Sequence, residues 1–268
     1  MSDVASSPDR RGKRRHLLIP LLRREIQTRH KGTFGGLYWY LLQNIIIVII
    51  YSTVFGAILQ GVWREQGLGE VNFAIMLFIG LIQFNLIAEV ANRASGLIVQ
   101  NSNLVKKVVF PLELLPAVTV GGALFNAFIA FGVLLVAAAL LGVPLSWKGV
   151  WLPVIVAPLA VTALGFSWGL SALGTYIRDV GQVVALFVTA MMFLSPLFYP
   201  IEILPDALQA LVALNPITTP IRQAREVLIF GHDPDFAVLG AYWVGAIAVA
   251  LLGRLFFEKT RRGFADVV

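Results

Sequence analysis

The sequence predicts an all-α membrane protein with six transmembrane helices, and three observations on composition, charge spacing and apolar pattern support this. Of its 268 residues, 58% are hydrophobic and 13% are charged, about half the charged fraction of a soluble domain. Uncharged stretches are long enough to cross a hydrocarbon core of ~30 Å, which takes about 20 helical residues. These stretches are continuously apolar, as at 45–50, and lack the alternation of a membrane β-strand.

Charged residues bracket each predicted span, because a charge in the middle of a bilayer is costly. The third uncharged stretch is longer than one span requires. Pro116, Gly121 and Gly122 near its start predict a bend or a cytoplasmic extension there, instead of a seventh helix. The predicted spans are 38–59, 72–92, 113–141, 151–175, 180–198 and 236–257.

The distribution of Lys and Arg predicts that both chain termini lie in the cytoplasm. With six spans and the N-terminus inside, seventeen of the 21 Lys and Arg residues lie inside and four outside, as the positive-inside rule requires. Contact with the anionic leaflet then explains the net charge of +6, so membrane lipid, not nucleic acid, is the expected partner. Residues 1–15 are predicted to be a disordered basic tail, and 16–268 a single transmembrane domain.

An amphipathic helix is predicted at 16–31, ahead of the first span. Leu18, Leu21, Leu22 and Ile26 recur at helical spacing between basic residues, which is typical of a helix lying in the membrane interface.

Two later segments are also predicted to lie outside the spans. Residues 97–107, between the second and third spans, mix apolar and polar side chains in a loop long enough for a short helix that docks a soluble partner. In 199–235, apolar pieces that are too short to span are interrupted by Pro200, Pro205, Pro216 and Pro220. We therefore predict short re-entrant helices between the fifth and sixth spans.

The motifs of enzyme chemistry are absent from the sequence. It contains no cysteine and three scattered histidines, which excludes thiolate chemistry and argues against a metal site. Phosphate-binding loops and the common hydrolase motifs are missing. Glu89 and Glu113 lie near the cytoplasmic ends of their predicted helices, so no mid-membrane carboxylate supports an ion-coupled carrier. We predict no catalytic residues, metal or cofactor on this chain, and any energy must come from a partner.

Five segments occur in an order that matches a known family. The first segment, 23–39, contains a basic amphipathic helix with an Arg-Glu pair, then glycines and an aromatic start to the first span. The other four segments are 103–116, 178–182, 195–200 and 215–225. In this order they resemble the permease subunits of ABC transporters that export polysaccharides such as O-antigen, capsule or teichoic acid.

The resemblance implies a homodimeric, multi-pass protein of the bacterial inner membrane that exports lipid-linked polysaccharide. Two copies of a separate ATP-binding cassette subunit would bind ATP and Mg and hydrolyse the ATP. Segment 97–107 would be the coupling helix, and 16–31 the interface helix. The residues predicted to contact the ATPase subunit are Leu97, Ile98, Asn101, Leu104, Lys106, Lys107, Arg23, Arg24 and Glu25.

Aromatic residues are the candidates for a polymer path, since their rings stack on the C–H faces of sugars. Each has an alternative role as an interface anchor or a packing residue. The candidates are Phe34, Tyr38, Trp39, Tyr51, Phe55, Phe187, Phe193, Phe198 and Tyr199. In 199–235, Arg222, Arg225 and Glu226 either close an outer gate or cap short helices.

The main alternative hypothesis is an ABC permease of the same fold that exports another amphiphile, such as a drug, haem or a glycolipid. The density of aromatic residues in the first and fifth spans favours a polymer. A membrane enzyme or scaffold acting on lipid-linked sugars would require clustered interfacial acids, which the sequence lacks.

Overall fold

A computed structural model describes residues 9–30, 73–106 and 110–268, with residues 39, 41–43, 45–47, 49, 50 and 53 between them. Every regular element within these residues is helical, which confirms the all-α prediction for this part of the chain. Most of the first predicted span, 38–59, lies outside the described residues, and its described positions are helical.

Eleven α-helices are described. They are α1 Asp9–His30, α2 Phe73–Ala94, α3 Leu97–Gln100, α4 Ser102–Val105, α5 Leu114–Leu140, α6 Leu152–Tyr176, α7 Val180–Phe193, α8 Asp206–Ala213, α9 Thr218–Arg225, α10 Phe236–Thr260 and α11 Phe264–Val267. Short 3₁₀ segments occupy Trp147–Trp151, Ile201–Ile203 and Arg261–Gly263. A π-helix follows α9 at Glu226–Phe230.

Four helices of the described part, α2, α5, α6 and α10, are long and apolar enough to cross a membrane. They confirm the second, third, fourth and sixth predicted spans as helices. Helix α5 continues from Leu114 through Gly121 and Gly122 to Leu140. Pro116 is its third residue, where a backbone N–H would have no acceptor within the helix, so proline is tolerated there.

The predicted fifth span, 180–198, is wrong in its extent. Helix α7 ends at Phe193 after 14 residues, which gives a length of about 21 Å at 1.5 Å per residue. The Asn215 side chain donates to the carbonyls of Met191 and Leu194 at 2.8 and 2.7 Å. A distant side chain therefore satisfies the carbonyl groups that a continuing helix would have used.

Helix α2 lies at the centre of the fold and packs against α5, α6, α7 and α9. Seventeen of its 22 residues are buried, on every side of the helix, as expected for a helix that is apolar all round. Helices α6 and α10 pack closely where Gly165 meets Gly253, since a Cβ on Gly253 would lie 2.1 Å from the Gly165 carbonyl oxygen. Small residues are what allow membrane helices to approach this closely.

Helix α1 confirms the predicted amphipathic helix but starts earlier than predicted. It begins at Asp9, so residues 9–15, assigned above to a disordered tail, are helical; their Arg and Lys residues have high helix propensity. Arg23 and Arg24 are exposed. The side chains predicted to form the apolar face are half-buried: Leu18, Leu21, Leu22 and Ile26.

The bundle has two ends with different structures. We call the end that carries α1, α3, α4 and α11 the α1 end, and the end that carries residues 147–151 and 201–235 the α9 end. Two short helices, α8 and α9, lie within 199–235 as predicted, and their re-entry into the membrane stays a prediction.

Candidate functional site

Helices α3 and α4, in the predicted coupling segment, are anchored to the bundle by an apolar cluster. Ile98 packs with Leu112 and Leu115 at the start of α5, and with Phe257 and Phe264 near the chain end. Leu97, Leu104 and Val105 are partly buried against the same cluster. The short helices are therefore attached by packing to α5, α6 and α10.

The predicted contact residues of this segment divide into two groups. Ile98 is 1% exposed, so the prediction that it contacts a partner is wrong; it anchors the segment instead. Val99 is 48% exposed and was not predicted, because helical spacing alone does not say which of two adjacent apolar residues faces inward. Lys106 is exposed, and Lys107 lies outside the described residues.

A close backbone contact fixes the turn before α3. A Cβ on Gly174, near the end of α6, would lie 1.8 Å from the Ser95 carbonyl oxygen. No side chain fits in that space, so glycine is required there. The turn that leads into the coupling segment is thus held against the end of a span.

A cavity of about 360 Å³ lies between α1 and the α3–α4 segment, and we call it the α1 groove. Its walls include Thr28 of α1 and Val118 and Thr119 of α5. It also brings together five residues that were predicted from two distant parts of the sequence: Arg24, Glu25, Leu97, Asn101 and Leu104. Arg23 is exposed on α1 and does not line the groove.

Ion pairs and hydrogen bonds hold α1 beside the spans. Arg93 of α2 contacts Glu25 at 2.8 Å and Glu89 at 3.7 Å. The Asn126 side chain of α5 donates to Glu89 at 3.0 Å. Leu22 packs directly against Gly121, since a Cβ added to Gly121 would lie 2.7 Å from the Leu22 side chain. Sequence reasoning placed Glu25 in α1 but missed its contact with Arg93 and the contact of Asn126 with Glu89, since neither Arg93 nor Asn126 lies in a recognisable motif.

The described aromatic candidates fall into an exposed and a buried set. Trp39, Phe187 and Phe193 are 59, 59 and 55% exposed, so each is accessible to a channel, to lipid or to a second copy of the chain. Phe198 is 4% exposed and packs in the core, which favours its alternative role as a packing residue. The half-buried Tyr199 donates its hydroxyl to the Phe193 carbonyl.

The remaining aromatic candidates lie outside the described residues. They are Phe34, Tyr38, Tyr51 and Phe55.

Of the predicted gate residues, Arg225 is buried. It is 5% exposed, and its guanidinium donates to the carbonyls of Met76, Pro196 and Leu197 at 3.2, 2.6 and 3.0 Å. Burial lowers the pKa of Arg225 to about 9, so the side chain remains charged at neutral pH. Arg225 does not cap its own helix; it joins α9 to α2 and to the segment after α7.

Arg222 and Glu226 lie at the surface of the same end. Arg222 is 3.8 Å from Glu202, and Glu226 is 2.7 Å from the Nδ1 atom of His232. Both line a polar cavity of about 440 Å³, together with Gln223 and residues of the loop before α10. We call it the α9 cavity. In the part of the chain that the structure describes, no cluster of His, Asp or Glu is placed to hold a metal ion.

Comparison with known proteins gives one consistent result. Residues 16–229 match the ABC-2 type transporter family. The chain is 27% identical over 258 residues to the O-antigen export system permease protein RfbA of Myxococcus xanthus, with 95% of this chain and 96% of that protein covered. It is 22% identical over 253 residues to the permease of the same name from Klebsiella pneumoniae, with 94 and 95% covered. The family match extends from α1 to the π-helix, so this chain belongs to the ABC-2 type transporter family.

Proposed function

We propose that this chain is the membrane subunit of an ATP-driven exporter that moves lipid-linked, O-antigen-like polysaccharide across the bacterial inner membrane. The observation that carries the proposal is the similarity to O-antigen export permeases, which covers at least 94% of this chain in each comparison. The chain is a multi-pass transport subunit, and catalysis by the chain itself is not part of its role.

The proposed topology has six spans with both termini in the cytoplasm. The α1 end carries Arg93, Lys106, Arg178, Arg254 and Lys259, whereas the α9 end carries Lys148, Arg222 and Arg225. This asymmetry supports a cytoplasmic α1 end and an extracytoplasmic α9 end. Helix α7 and residues 38–59 supply the two spans beyond the four long apolar helices.

The proposed partner is an ATP-binding cassette subunit that docks at the α1 groove. Two copies of that subunit, carrying ATP and Mg, would bind a homodimer of this chain. Leu97 and Leu104 offer apolar contact area in the groove, and Arg24 offers a charge that orients the partner; such a mixture is common in protein interfaces. The apolar cluster around Ile98 would transmit partner motion to the spans as a rigid displacement.

The proposed polymer path runs along the first span and α7, where Trp39, Phe187 and Phe193 are exposed. Rings of this kind offer flat apolar faces to sugars without binding them tightly. Phe198 is assigned to the core. Arg222 and Glu226 remain candidates for an outer gate, and Arg225 would hold the helix that carries them.

The proposal is tested by purification from the native host and by deletion of the gene. A tagged chain, extracted in mild detergent, should retain an ATP-hydrolysing subunit in equal amount, and an unrelated tagged multi-pass protein should not. Deletion should remove the polysaccharide from the cell surface while the polymer accumulates inside, and the intact gene should restore export.

Two other outcomes would favour other hypotheses. If the ATPase co-purifies but surface polysaccharide survives the deletion, the same fold exports another amphiphile. If the chain purifies alone from several mild detergents, the carrier or scaffold hypothesis gains support.

A further inference from the structure

The α9 cavity is a polar cavity at the end of the bundle opposite the α1 groove. Its volume of about 440 Å³ lies within the ~300–1,000 Å³ range of small-molecule sites. It is bounded by α8, α9, the start of the π-helix and the loop before α10. Its walls combine the carboxylates of Glu226, Asp233 and Asp235 with the small apolar side chains of Ala213 and Val238.

Gln223 is a mostly buried residue that presents an amide donor to this cavity. Its side chain is 8% exposed, and its Oε1 atom accepts from the backbone N–H of Asp235 at 3.0 Å. Because that bond fixes the position of the amide oxygen, the amide nitrogen lies on the side facing away from the Asp235 backbone. Among the described residues, the amide nitrogen donates to no protein group. The amide nitrogen opens to the cavity, where it can donate to water or to an acceptor on a ligand.

The cavity wall is held in place by its own hydrogen bonds. Asp235 accepts from Ala237 and Val238 at the start of α10, at 3.0 and 3.1 Å. Asp233 accepts from Lys148 at 2.7 Å. Glu226 begins a π-helix, an irregularity that is frequent at functional sites. The Gln223 amide and the Asp235 carboxylate are therefore positioned before any ligand arrives, whereas Asp233 and Glu226 lie in exposed ion pairs.

The charges of the wall favour one chemical class of ligand. Three carboxylates line the cavity. The positive groups are two: the guanidinium of Arg222, and the ammonium of Lys148 beside Asp233. The excess of negative charge disfavours phosphate or uronic acid groups. Sugar hydroxyls are suited to it, because they can donate to carboxylates and accept from the Gln223 amide in charge-assisted and neutral hydrogen bonds.

We propose that the α9 cavity is a binding subsite for uncharged saccharide units, in which Gln223 donates to a sugar hydroxyl and the carboxylates of Glu226 and Asp235 accept from others. The proposal rests on the function proposed above, and it adds that the polymer is bound at the extracytoplasmic end of its path by hydrogen bonds as well as by aromatic rings.

Binding can be measured by saturation-transfer NMR on the intact transporter in nanodiscs, purified with its ATPase subunit. The probes are lipid-free fragments of the host's own surface polysaccharide, mannohexaose, and hexagalacturonate as the charged comparison. Gln223→Glu retains the oxygen that accepts from Asp235 and removes the donor. Thr219 also lines the cavity, and Thr219→Val removes its hydroxyl at nearly constant shape.

Each variant should weaken binding of the neutral fragments about threefold to tenfold, and the double variant more. Asp206→Asn is the matched control, because Asp206 is an exposed carboxylate at the same end that does not line the cavity. It should bind like the wild type. All variants must show wild-type thermal unfolding before binding is compared.

Three results would overturn the subsite: wild-type transporter that gives no signal with either neutral probe, equal binding by wild type and the double variant, or tighter binding of hexagalacturonate than of the neutral fragments. The deletion experiment separates this failure from failure of the proposed function. If deletion abolishes surface polysaccharide while the double variant binds and exports normally, only the subsite is rejected.

Discussion

Both ends of the bundle contain apolar packing, and a buried charge distinguishes the α9 end. At the α1 end, α3 and α4 are anchored by an apolar cluster and by the contact of Gly174 with Ser95. At the α9 end, a single buried cation, Arg225, joins three segments through backbone carbonyls. Apolar packing divides the stabilising free energy among many contacts, whereas a buried charge concentrates it in one residue. Disruption should therefore be gradual at the α1 end and abrupt at the α9 end.

The largest effect is expected for Arg225→Met, which keeps an unbranched apolar stem and removes the donors to Met76, Pro196 and Leu197. Loss of the donors to these carbonyls should lower the free energy of unfolding by about 3–5 kcal/mol. The measurement is thermal unfolding in detergent, together with protease cleavage of residues 199–235 in spheroplasts. Arg222→Met, at an exposed ion pair, should cost no more than about 1 kcal/mol. Equal losses in the two variants would contradict the comparison.

A smaller but clear effect is expected for Gly174→Ala at the α1 end. The added Cβ would overlap the Ser95 carbonyl, so the turn before α3 must shift at a cost of about 1–3 kcal/mol. Unfolding temperature and ATPase co-purification should both fall. Gly169→Ala, in the same helix with open space around it, should change stability by less than about 0.5 kcal/mol. A harmless Gly174→Ala would show that the turn is not fixed by this contact.

The next prediction identifies the face of the coupling segment that binds the partner. Leu104→Ala removes apolar area from the α1 groove and should weaken ATPase binding about tenfold, since the lost contact contributes about 1–2 kcal/mol. Val99→Ala, on the exposed face outside the groove, should weaken it less than about threefold. Titration of the purified ATPase subunit onto the chain in nanodiscs measures both. If Val99→Ala weakened ATPase binding more than Leu104→Ala did, the partner would bind the exposed face that carries Val99.

The smallest effect is expected for the pair Arg93 and Glu25. Their side chains are 42 and 22% exposed, so solvent screens the pair and its coupling energy should be about 0.2–1 kcal/mol. A double-mutant cycle with Arg93→Met and Glu25→Gln, read by thermal unfolding at low and high salt, measures it. Coupling that persists at high salt and exceeds this range would mean that the pair behaves as a buried one.

Much of the fold was predictable because hydropathy and charge spacing act locally. Spans predicted at 72–92, 113–141 and 236–257 correspond to Phe73–Ala94, Leu114–Leu140 and Phe236–Thr260. The error in 180–198 has a tertiary cause. The stretch remains apolar past Phe193, but Asn215, 21 residues beyond Leu194, caps the helix there. Nothing in the local sequence signals that contact.

The candidate sites were predicted less completely than the helices. Arg24, Glu25, Leu97 and Leu104 were identified as residues of two separate segments, and the structure adds that they line one groove. Ile98 was predicted to contact the ATPase subunit because its loop mixes apolar and polar residues, yet it is buried. The α9 cavity was missed, since Gln223 and Asp235 lie in different segments and only folding brings them together.

By itself, the sequence determined that the chain forms apolar helices, that positive charge collects at one end of them, and that a basic amphipathic helix precedes them. These properties follow from residue type and spacing, which act over a few turns of helix. The tertiary structure alone decided that Arg225 is a buried connection between segments, that Ile98 is an anchor, and that Gln223 directs an amide into a cavity. Those roles depend on which distant carbonyls and side chains come within hydrogen-bond or packing distance, and only folding brings them together.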